Sequence, residues 1–346
     1  MIAPSPSRPV EIVGGGLAGL GLGLGLRRRG IPVIVIEAGS YPRHRVCGEF
    51  ITSLDRETIA ALDLSPLLET ATEARSVTWF QAGAAHLVHP LPVPALCLSR
   101  HYLDHRMAQR FVELGGELVT HQRGDLQAAE GRVITTGRRP KSASRWIGIK
   151  AHFRGLTLRD DLELHLGKGA YVGLTRIEGN RVNVCGLFAR TPSTPSKQSK
   201  RSILFDQLNR VGLADLNQRL QVAAGDESSL CTVAGLDYGP AAPTDGALRL
   251  GDHFGLIPPF TGNGMTVALQ SARIATDPLR AWSTGQCDWP TTVQKVHRAL
   301  HRELSPRIGR ARRLHPWLLR PQRQRWLVKA AGSRLFPTRL LYHLLH

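Results

Sequence analysis

The chain has 346 residues, 42% hydrophobic and 21% charged, which allows one large or two interleaved domains with a full core and excludes wholesale disorder. Its five cysteines, Cys47, Cys97, Cys185, Cys231 and Cys287, form no CxxC pair and no Cys/His metal spacing, which argues against a disulfide framework or a metal site and for a reducing, cytoplasmic compartment. The formal net charge is +18, yet no apolar run reaches the roughly 18 residues of a spanning helix, and Met1–Pro9 lacks a signal-peptide core.

Val10–Val13 is a short β-branched run, followed by a glycine-rich stretch and a second strand, Ile31–Ile36, that ends in Glu37. Gly and Leu alternate from Leu20 to Leu26, a period-two signal for a strand, and each helical Gly costs about 1 kcal/mol relative to Ala. A helix is expected there all the same: two strands in this frame need a crossover, and small residues let it lie close to the sheet. His101–Leu114 reads as a helix with Leu103, Met107 and Phe111 on one face, and Glu117–Thr120 and Arg132–Thr135 read as strands. Trp146–Phe153, Leu162–Leu166, Ala170–Arg176 and Arg181–Phe188 read as strands of an antiparallel sheet, and Thr191–Lys200 as a Ser/Pro/Lys loop. Ala247–Leu250 is a last short strand, Gly264–Ile274 opens a helix, and the remainder is helical with breaks expected at Pro306, Pro316, Pro321 and Pro337.

Gly14-Gly15-Gly16-Leu17-Ala18-Gly19 fits G-x-G-x-x-G, directly after a strand and opening a helix, with Glu37 ending the next strand 21 residues after Gly16. Gly14 permits the tight turn, Gly16 lets the backbone approach a pyrophosphate, and Gly19 lets the helix pack on the sheet. The helix N-terminus, with Leu17 and Ala18, offers free N–H groups to phosphates. Glu37, with Ala38 beside it, can accept hydrogen bonds from ribose hydroxyls and would repel a 2′-phosphate, so FAD or NAD fits better than NADP.

Residues 251 to 265 read Gly-Asp-His-Phe-Gly-Leu-Ile-Pro-Pro-Phe-Thr-Gly-Asn-Gly-Met. Here the sequence resembles the FAD-dependent oxidoreductases of the p-hydroxybenzoate hydroxylase fold, whose second motif is Gly-Asp…Pro…Gly-x-Gly. The resemblance implies FAD as the cofactor. It implies that Asp252, after Gly251, binds the ribityl chain, and that Gly262, Asn263 and Gly264 place backbone N–H groups at the flavin ring edge, with Pro259 stiffening the loop and Met265 closing the cofactor-binding segment. Ser99-Arg100 with Asp104 looks like the family's Arg-x-x-x-Asp element, with Arg100 facing the pyrophosphate; Arg43 and Arg45 can contact phosphate or substrate, or stand as surface charge. One departure is plain: Thr135-Thr136-Gly137-Arg138 stands where the family carries an Asp-Gly pair.

Tyr41–Phe50 reads Tyr-Pro-Arg-His-Arg-Val-Cys-Gly-Glu-Phe, which resembles the geranylgeranyl reductase branch and makes Cys47 a candidate flavin-proximal thiol. Gly169–Leu174 and Arg181–Gly186 stand where those reductases carry a substrate-sheet motif, but its Trp and Pro are missing. Tyr171 is the candidate substrate-facing residue. The Trp-x-Trp-x-Ile-Pro signature of flavin-dependent halogenases is absent, as is a second G-x-G-x-x-G for a nicotinamide domain, so NAD(P)H is expected only as a transient donor.

The resemblance implies an α/β chain, α+β overall: a Rossmann-type FAD-binding domain interleaved with an antiparallel-sheet substrate domain and a helical C-terminal segment. The expected division is FAD-binding parts at 1–75, 96–142 and 239–282, substrate parts at 76–95 and 143–238, and a basic helical segment at 283–346. From Thr291 to His346 there are 13 Lys or Arg and one acid, Glu303, mixed with Trp317, Trp326 and many leucines. That pattern suits peripheral contact with an anionic membrane face, or equally core-packing helices with a solvated basic face. Nucleic acid is not expected, since no recognition motif accompanies the charge. Three functions follow: a geranylgeranyl-reductase-like enzyme reducing a C=C bond of an apolar, lipid-like substrate; a monooxygenase hydroxylating or epoxidising a small or carrier-bound substrate through a flavin C4a-hydroperoxide; and a non-catalytic flavin binder.

Overall fold

The computed structural model describes residues 7–81, 83–137, 144–190, 200–240, 246–331 and 338–345. In chain order, β1 (Val10–Val13), α1 (Leu17–Arg27) and β2 (Val33–Ile36) form the opening βαβ unit, followed by β3 (Phe50–Ile51), α2 (Arg56–Ala61) and α3 (Ser65–Leu68). Then come β4 (Thr72–Gln81), β5 (Ala84–Cys97), α4 (Arg100–Glu113), β6 (Glu117–Val119) and β7 (Arg132–Ile134). The central part holds β8 (Trp146–Arg154), β9 (Leu162–Gly167), β10 (Ala170–Ile177), β11 (Arg181–Ala189), α5 (Lys200–Arg210), α6 (Ala214–Gln221) and β12 (Ala224–Ala234). Last are β13 (Gly239–Pro240), β14 (Leu248–Arg249), β15 (Gly255–Leu256), α7 (Gly264–Ser283), α8 (Trp289–Glu303), α9 (Ser305–Leu319), α10 (Pro321–Ala331) and α11 (Thr338–Leu345).

Five strands form a parallel sheet in the order β14-β7-β1-β2-β6. The Gly/Leu run does form a helix, because tertiary packing overrides its local period. Leu20, Leu22, Leu24 and Leu26 are all fully buried. A Cβ at Gly23 would stand 2.8 Å from the Phe111 ring of α4, and one at Gly25 2.9 Å from Thr276 Oγ1 of α7. The glycines are therefore the faces on which α4 and α7 close upon α1.

The second sheet has eight strands in the order β12-β8-β11-β10-β9-β4-β5-β3. It is mixed rather than antiparallel: β4 runs parallel to β9, since the chain reaches β9 only after leaving through the Rossmann unit. Strand alternation sends Ile149, Ala151, Phe153, Val172, Leu174 and Val184 into a core shared with Leu204, Leu208, Leu216 and Leu220 of α5 and α6. On the other face Lys150, His152 and Asn183 meet the Cys47–Glu49 segment, and Tyr171 and Leu187 pack with Tyr238, Leu318 and Leu319. Pro306 and Pro321 sit in the first turns of α9 and α10, where a missing N–H costs nothing, but α9 runs on through Pro316 and α7 through Pro278, so Pro316 breaks no helix. Pro337 and the loop expected at Thr191–Lys200, apart from Lys200 itself at the start of α5, lie outside the described residues.

Candidate functional site: one cavity between two sheets

A single cavity of about 1470 Å³ runs from the glycine fingerprint, between the two sheets, to the C-terminal helices. Fourteen of the cofactor residues expected from sequence line it: Gly14, Gly16, Leu17, Ala18, Glu37, Ala38, Arg45, Arg100, Gly251, Asp252, Pro259, Gly262, Gly264 and Met265. Cys47 and Tyr171 line it as well. Gly19 and Asn263 do not.

At the fingerprint end, Gly14 has φ +110, and a Cβ there would lie 2.7 Å from the Thr135 backbone. A Cβ at Gly19 would overlap the Gly14 carbonyl oxygen, so this glycine serves the close packing of α1 on the β1 turn rather than the cavity wall. A Cβ at Gly16, by contrast, would meet among the described residues only the Arg100 guanidinium, at 3.9 Å. Gly16 therefore leaves space that the folded protein does not itself fill.

Glu37 stands at the end of β2, and its carboxylate is already engaged. Its Oε2 accepts from Gly15 N–H at 2.8 Å, its Oε1 accepts from Gly39 N–H at 2.9 Å, and Arg43 lies 2.7 Å away. Burial would raise its pKa, but these N–H donors and the Arg43 and Arg45 charges outweigh that and hold it below the usual value. Arg45 bridges Glu37 (3.6 Å) and Asp104 (3.3 Å). Ser99 caps α4 by accepting from Tyr102 N–H, which sets Arg100 in the first turn. From there Arg100 donates twice to the fully buried Asp104, both at 2.7 Å. Three guanidinium groups thus meet two buried carboxylates, leaving a local excess of positive charge beside Gly16.

Where the Asp-Gly pair is missing, hydroxyls take over. Thr135 Oγ1 donates to the Gly14 carbonyl at 2.5 Å, and Thr136 Oγ1 lies 2.9 Å from His253 Nδ1. The Gly251–Met265 segment closes the far side. Gly262 has φ +70 and ends a 3-10 turn begun at Pro259, so that α7 opens at Gly264 with its N-terminus at the cavity wall. Asn263 is fully buried; its Nδ2 donates to the Leu345 carbonyl at 2.7 Å, and its Oδ1 accepts from Thr52 Oγ1 at 3.0 Å. Its side chain therefore ties α11 and β3 to the loop instead of entering the cavity.

Beyond this loop the cavity turns apolar and aromatic. Trp79, Tyr171, Tyr238 and Phe260 line it, with Trp317 and Trp326 from α9 and α10. Tyr171 Oη lies 3.4 Å from His315 Nε2, and His315 stacks on Phe260. Burial pushes the Tyr171 phenol well above its usual pKa and the His315 ring down to about 4. Tyr171 is thus a neutral phenol beside a neutral imidazole, able to donate a hydrogen bond but not to act as a base.

The comparisons with solved structures agree with this architecture. The flavin-dependent brominase Bmp2 matches with a TM-score of 0.77 over 99% of this chain and 93% of its own, at 15% identity. The myxobacterial chondrochloren halogenase CndH, described as a variant FAD-dependent halogenase, matches with a TM-score of 0.68 over 87% and 80%, at 15% identity. PqsL from Pseudomonas aeruginosa, described as a probable FAD-dependent monooxygenase, matches with a TM-score of 0.64 over 92% and 98%, at 16% identity. The chain has the FAD-dependent p-hydroxybenzoate hydroxylase-type fold. No family model matches the chain, and no curated protein does.

Within that fold the site holds a buried polar cluster that sequence reading missed. Glu49, fully buried at φ 59, sits two residues after Cys47. Its Oε1 lies 3.2 Å from Lys150 Nζ and accepts from Arg100 N–H, and its Oε2 lies 2.6 Å from His152 Nε2. Lys150 also reaches His44 Nδ1 at 3.1 Å. Burial would raise the Glu49 carboxyl, yet His152, Lys150 and the Arg100 N–H together hold it below its usual value. The only sequence signal was a pair of ionisable residues two apart, Lys150 and His152, in an otherwise apolar strand; their partners come from a segment about 100 residues earlier. His44, His152 and Asp226 bring potential ligand atoms within 4.8 Å of one another. The Lys150 ammonium already takes the His44 Nδ1 lone pair, however, and its charge opposes a cation there.

Cys47 Sγ accepts from Glu49 N–H at 3.4 Å, and burial pushes its pKa up, with Arg100 opposing. It faces the cavity as a protonated thiol rather than a thiolate.

Proposed function

We propose that this chain is an FAD-dependent oxidoreductase that acts on an apolar, aromatic-compatible substrate, and that its reaction is monooxygenation. The observation that carries the reading is continuity: the two glycine motifs and the aromatic face of the mixed sheet bound one cavity. A dinucleotide laid along the fingerprint would have its ring end beside the pocket for substrate.

The residues present fit FAD. The open space over Gly16 would take the pyrophosphate, with Arg100 and Arg45 supplying the opposite charge. Glu37 would accept from the adenosine ribose, Asp252 from the ribityl chain, and the N–H groups of Gly264 and Met265 would face the ring edge, where the α7 N-terminus adds a positive dipole; those of Gly262 and Asn263 already donate to the Pro259 carbonyl and Thr261 Oγ1. Bound and reduced, FAD supplies oxygen activation; one oxygen atom of O₂ goes to substrate and the other to water, with two electrons from a transient donor such as NAD(P)H. This chain's own work is positioning and exclusion. Trp79, Tyr238 and Phe260 would hold an apolar ring and keep water out, and the Tyr171 phenol would orient a polar substituent through one hydrogen bond.

The geranylgeranyl-reductase reading, which rests on the Cys47 segment and the apolar, basic C-terminal helices, has weaker support. The neighbours at hand are monooxygenases and halogenases, and the Cys47 thiol is protonated. Halogenation lacks its Trp-x-Trp-x-Ile-Pro signature in this chain. The test is a visible spectrum of purified protein followed by turnover under isotopically labelled dioxygen with small aromatic substrates. Label in the product supports monooxygenation. A saturated C=C bond without label restores the reductase, and protein that binds no FAD ends the proposal.

A further inference from the structure

At its far end the cavity is lined by α9 and α10. Trp317 and Trp326 both line it and are also 41% and 68% exposed, and they are the exposed tryptophans among the described residues. The Arg323 guanidinium lies 5.4 Å above the Trp317 ring. Arg310, Arg312, Arg313, Arg320, Arg325 and Lys329 stand exposed along the same two helices. No acidic residue occurs after Glu303, and among the described residues none of these six forms an ion pair.

Three features therefore belong to the same pair of helices: exposed indoles, unneutralised cations and a share of the wall of an apolar cavity. Indole rings prefer the boundary between headgroups and acyl chains, and cations beside them gain from anionic headgroups. We propose that α9 and α10 form a docking surface for an anionic lipid bilayer, and that the apolar substrate enters from the lipid between Trp317 and Trp326. The surface lies on the membrane without crossing it; no helix among the described residues is long and apolar enough to span. A bilayer suits this patch better than a folded acidic partner. The cations are spread over two helices with no acids interspersed, a diffuse field rather than a register of pairs, and both indoles are exposed among them. The inference rests on the proposed function only for the identity of what enters the cavity.

The test uses the full FAD-treated chain and flotation with two vesicle types, phosphatidylcholine alone and phosphatidylcholine with phosphatidylglycerol. Binding to the mixed vesicles should exceed binding to the neutral ones by at least about tenfold and fall with added salt. Indole emission should shift to the blue on binding. Arg320→Glu with Arg325→Glu should weaken flotation about tenfold or more, while Trp317→Ala with Trp326→Ala should abolish the blue shift, each variant being checked by circular dichroism and flavin content. Equal binding to both vesicle types, or none to either, overturns the proposal. Failure to float combined with retention on immobilised polyglutamate also overturns it, in favour of an acidic polypeptide. Colourless protein that still floats would sink the flavin reading and leave the docking surface standing.

Discussion

Replacing Gly16 by Ala separates cofactor binding from folding. Gly16 has φ −90 and ψ −171, extended backbone that alanine adopts freely, and among the described residues its Cβ would meet nothing closer than 3.9 Å. The cost to the fold is only that of a weaker N-cap, about 0.5–1 kcal/mol, or a few degrees in Tm at this size. The cost to a bound pyrophosphate is that of overpacking, about 1–3 kcal/mol, which converts to roughly 5- to 150-fold in Kd. Gly19→Ala is the opposite case: its Cβ would overlap the Gly14 carbonyl oxygen and stand 2.6 Å from Thr135 Oγ1, so the βαβ turn itself must move. Thermal melts of the apo proteins with FAD titrations followed by flavin fluorescence give both numbers. Gly16→Ala should melt close to the parent and bind FAD weakly, and Gly19→Ala should lose both. Parental FAD affinity in Gly16→Ala refutes the pyrophosphate assignment; collapse of its apo fold refutes the claim that the space is vacant.

Burial alone would raise the Glu163 carboxyl, but hydrogen bonds from His165, Arg219 and the Arg159 N–H hold it at about 2. A depressed carboxylate contributes stability above its unfolded value near 4.5 and loses it as pH falls toward 2. Urea melts should therefore show on the order of 3 kcal/mol lost across that window, and Glu163→Gln should flatten the curve there. Lys150→Met leaves Glu49 buried with one partner fewer and should cost about 3–5 kcal/mol; Lys150→Met with Glu49→Gln should recover part of it, and strict additivity would refute the coupling. Because burial raises the Cys47 thiol, iodoacetamide at neutral pH should label it far more slowly than a free thiol, and rapid labelling would show a thiolate.

What sequence disclosed and what it hid divide along chain distance. The fingerprint and the Gly251–Met265 motif are each contiguous, and their residue types are fixed by one turn and one helix start, so both could be read directly. For Asn263 the motif speaks only of its backbone; that its side-chain amide donates to Leu345 depends on the position of α11, 82 residues on. Glu49, Lys150, His152 and His44 come together only through the register of β8 and the path of the chain after β2, which no local pattern encodes. The parallel pairing of β4 with β9 was hidden for the same reason: alternation states which face a residue takes, not which strand lies beside it. Pro316 was read as a break on local chemistry, whereas three buried residues around it, His315, Leu318 and Leu319, hold α9 together from outside.

The placement of Asn263 also connects the two ends of the cavity. The loop that would face a flavin ring hangs on a fully buried amide whose other partners are Thr52 at the end of β3 and Leu345 of α11. A second bond, Ser53 Oγ to Tyr342 Oη at 2.6 Å, fastens α11 to the same segment. Leaving such a buried amide unpaired costs about 1–3 kcal/mol, and that energy couples the position of α11 to the loop. The basic C-terminal helices are thus not an appendage to the cofactor domain. Through α11 they share hydrogen bonds with the loop at the ring end, and through α9 and α10 they form the far wall of the substrate space. Whatever engages Trp317 and Trp326 acts on a wall of the same cavity in which the proposed chemistry takes place.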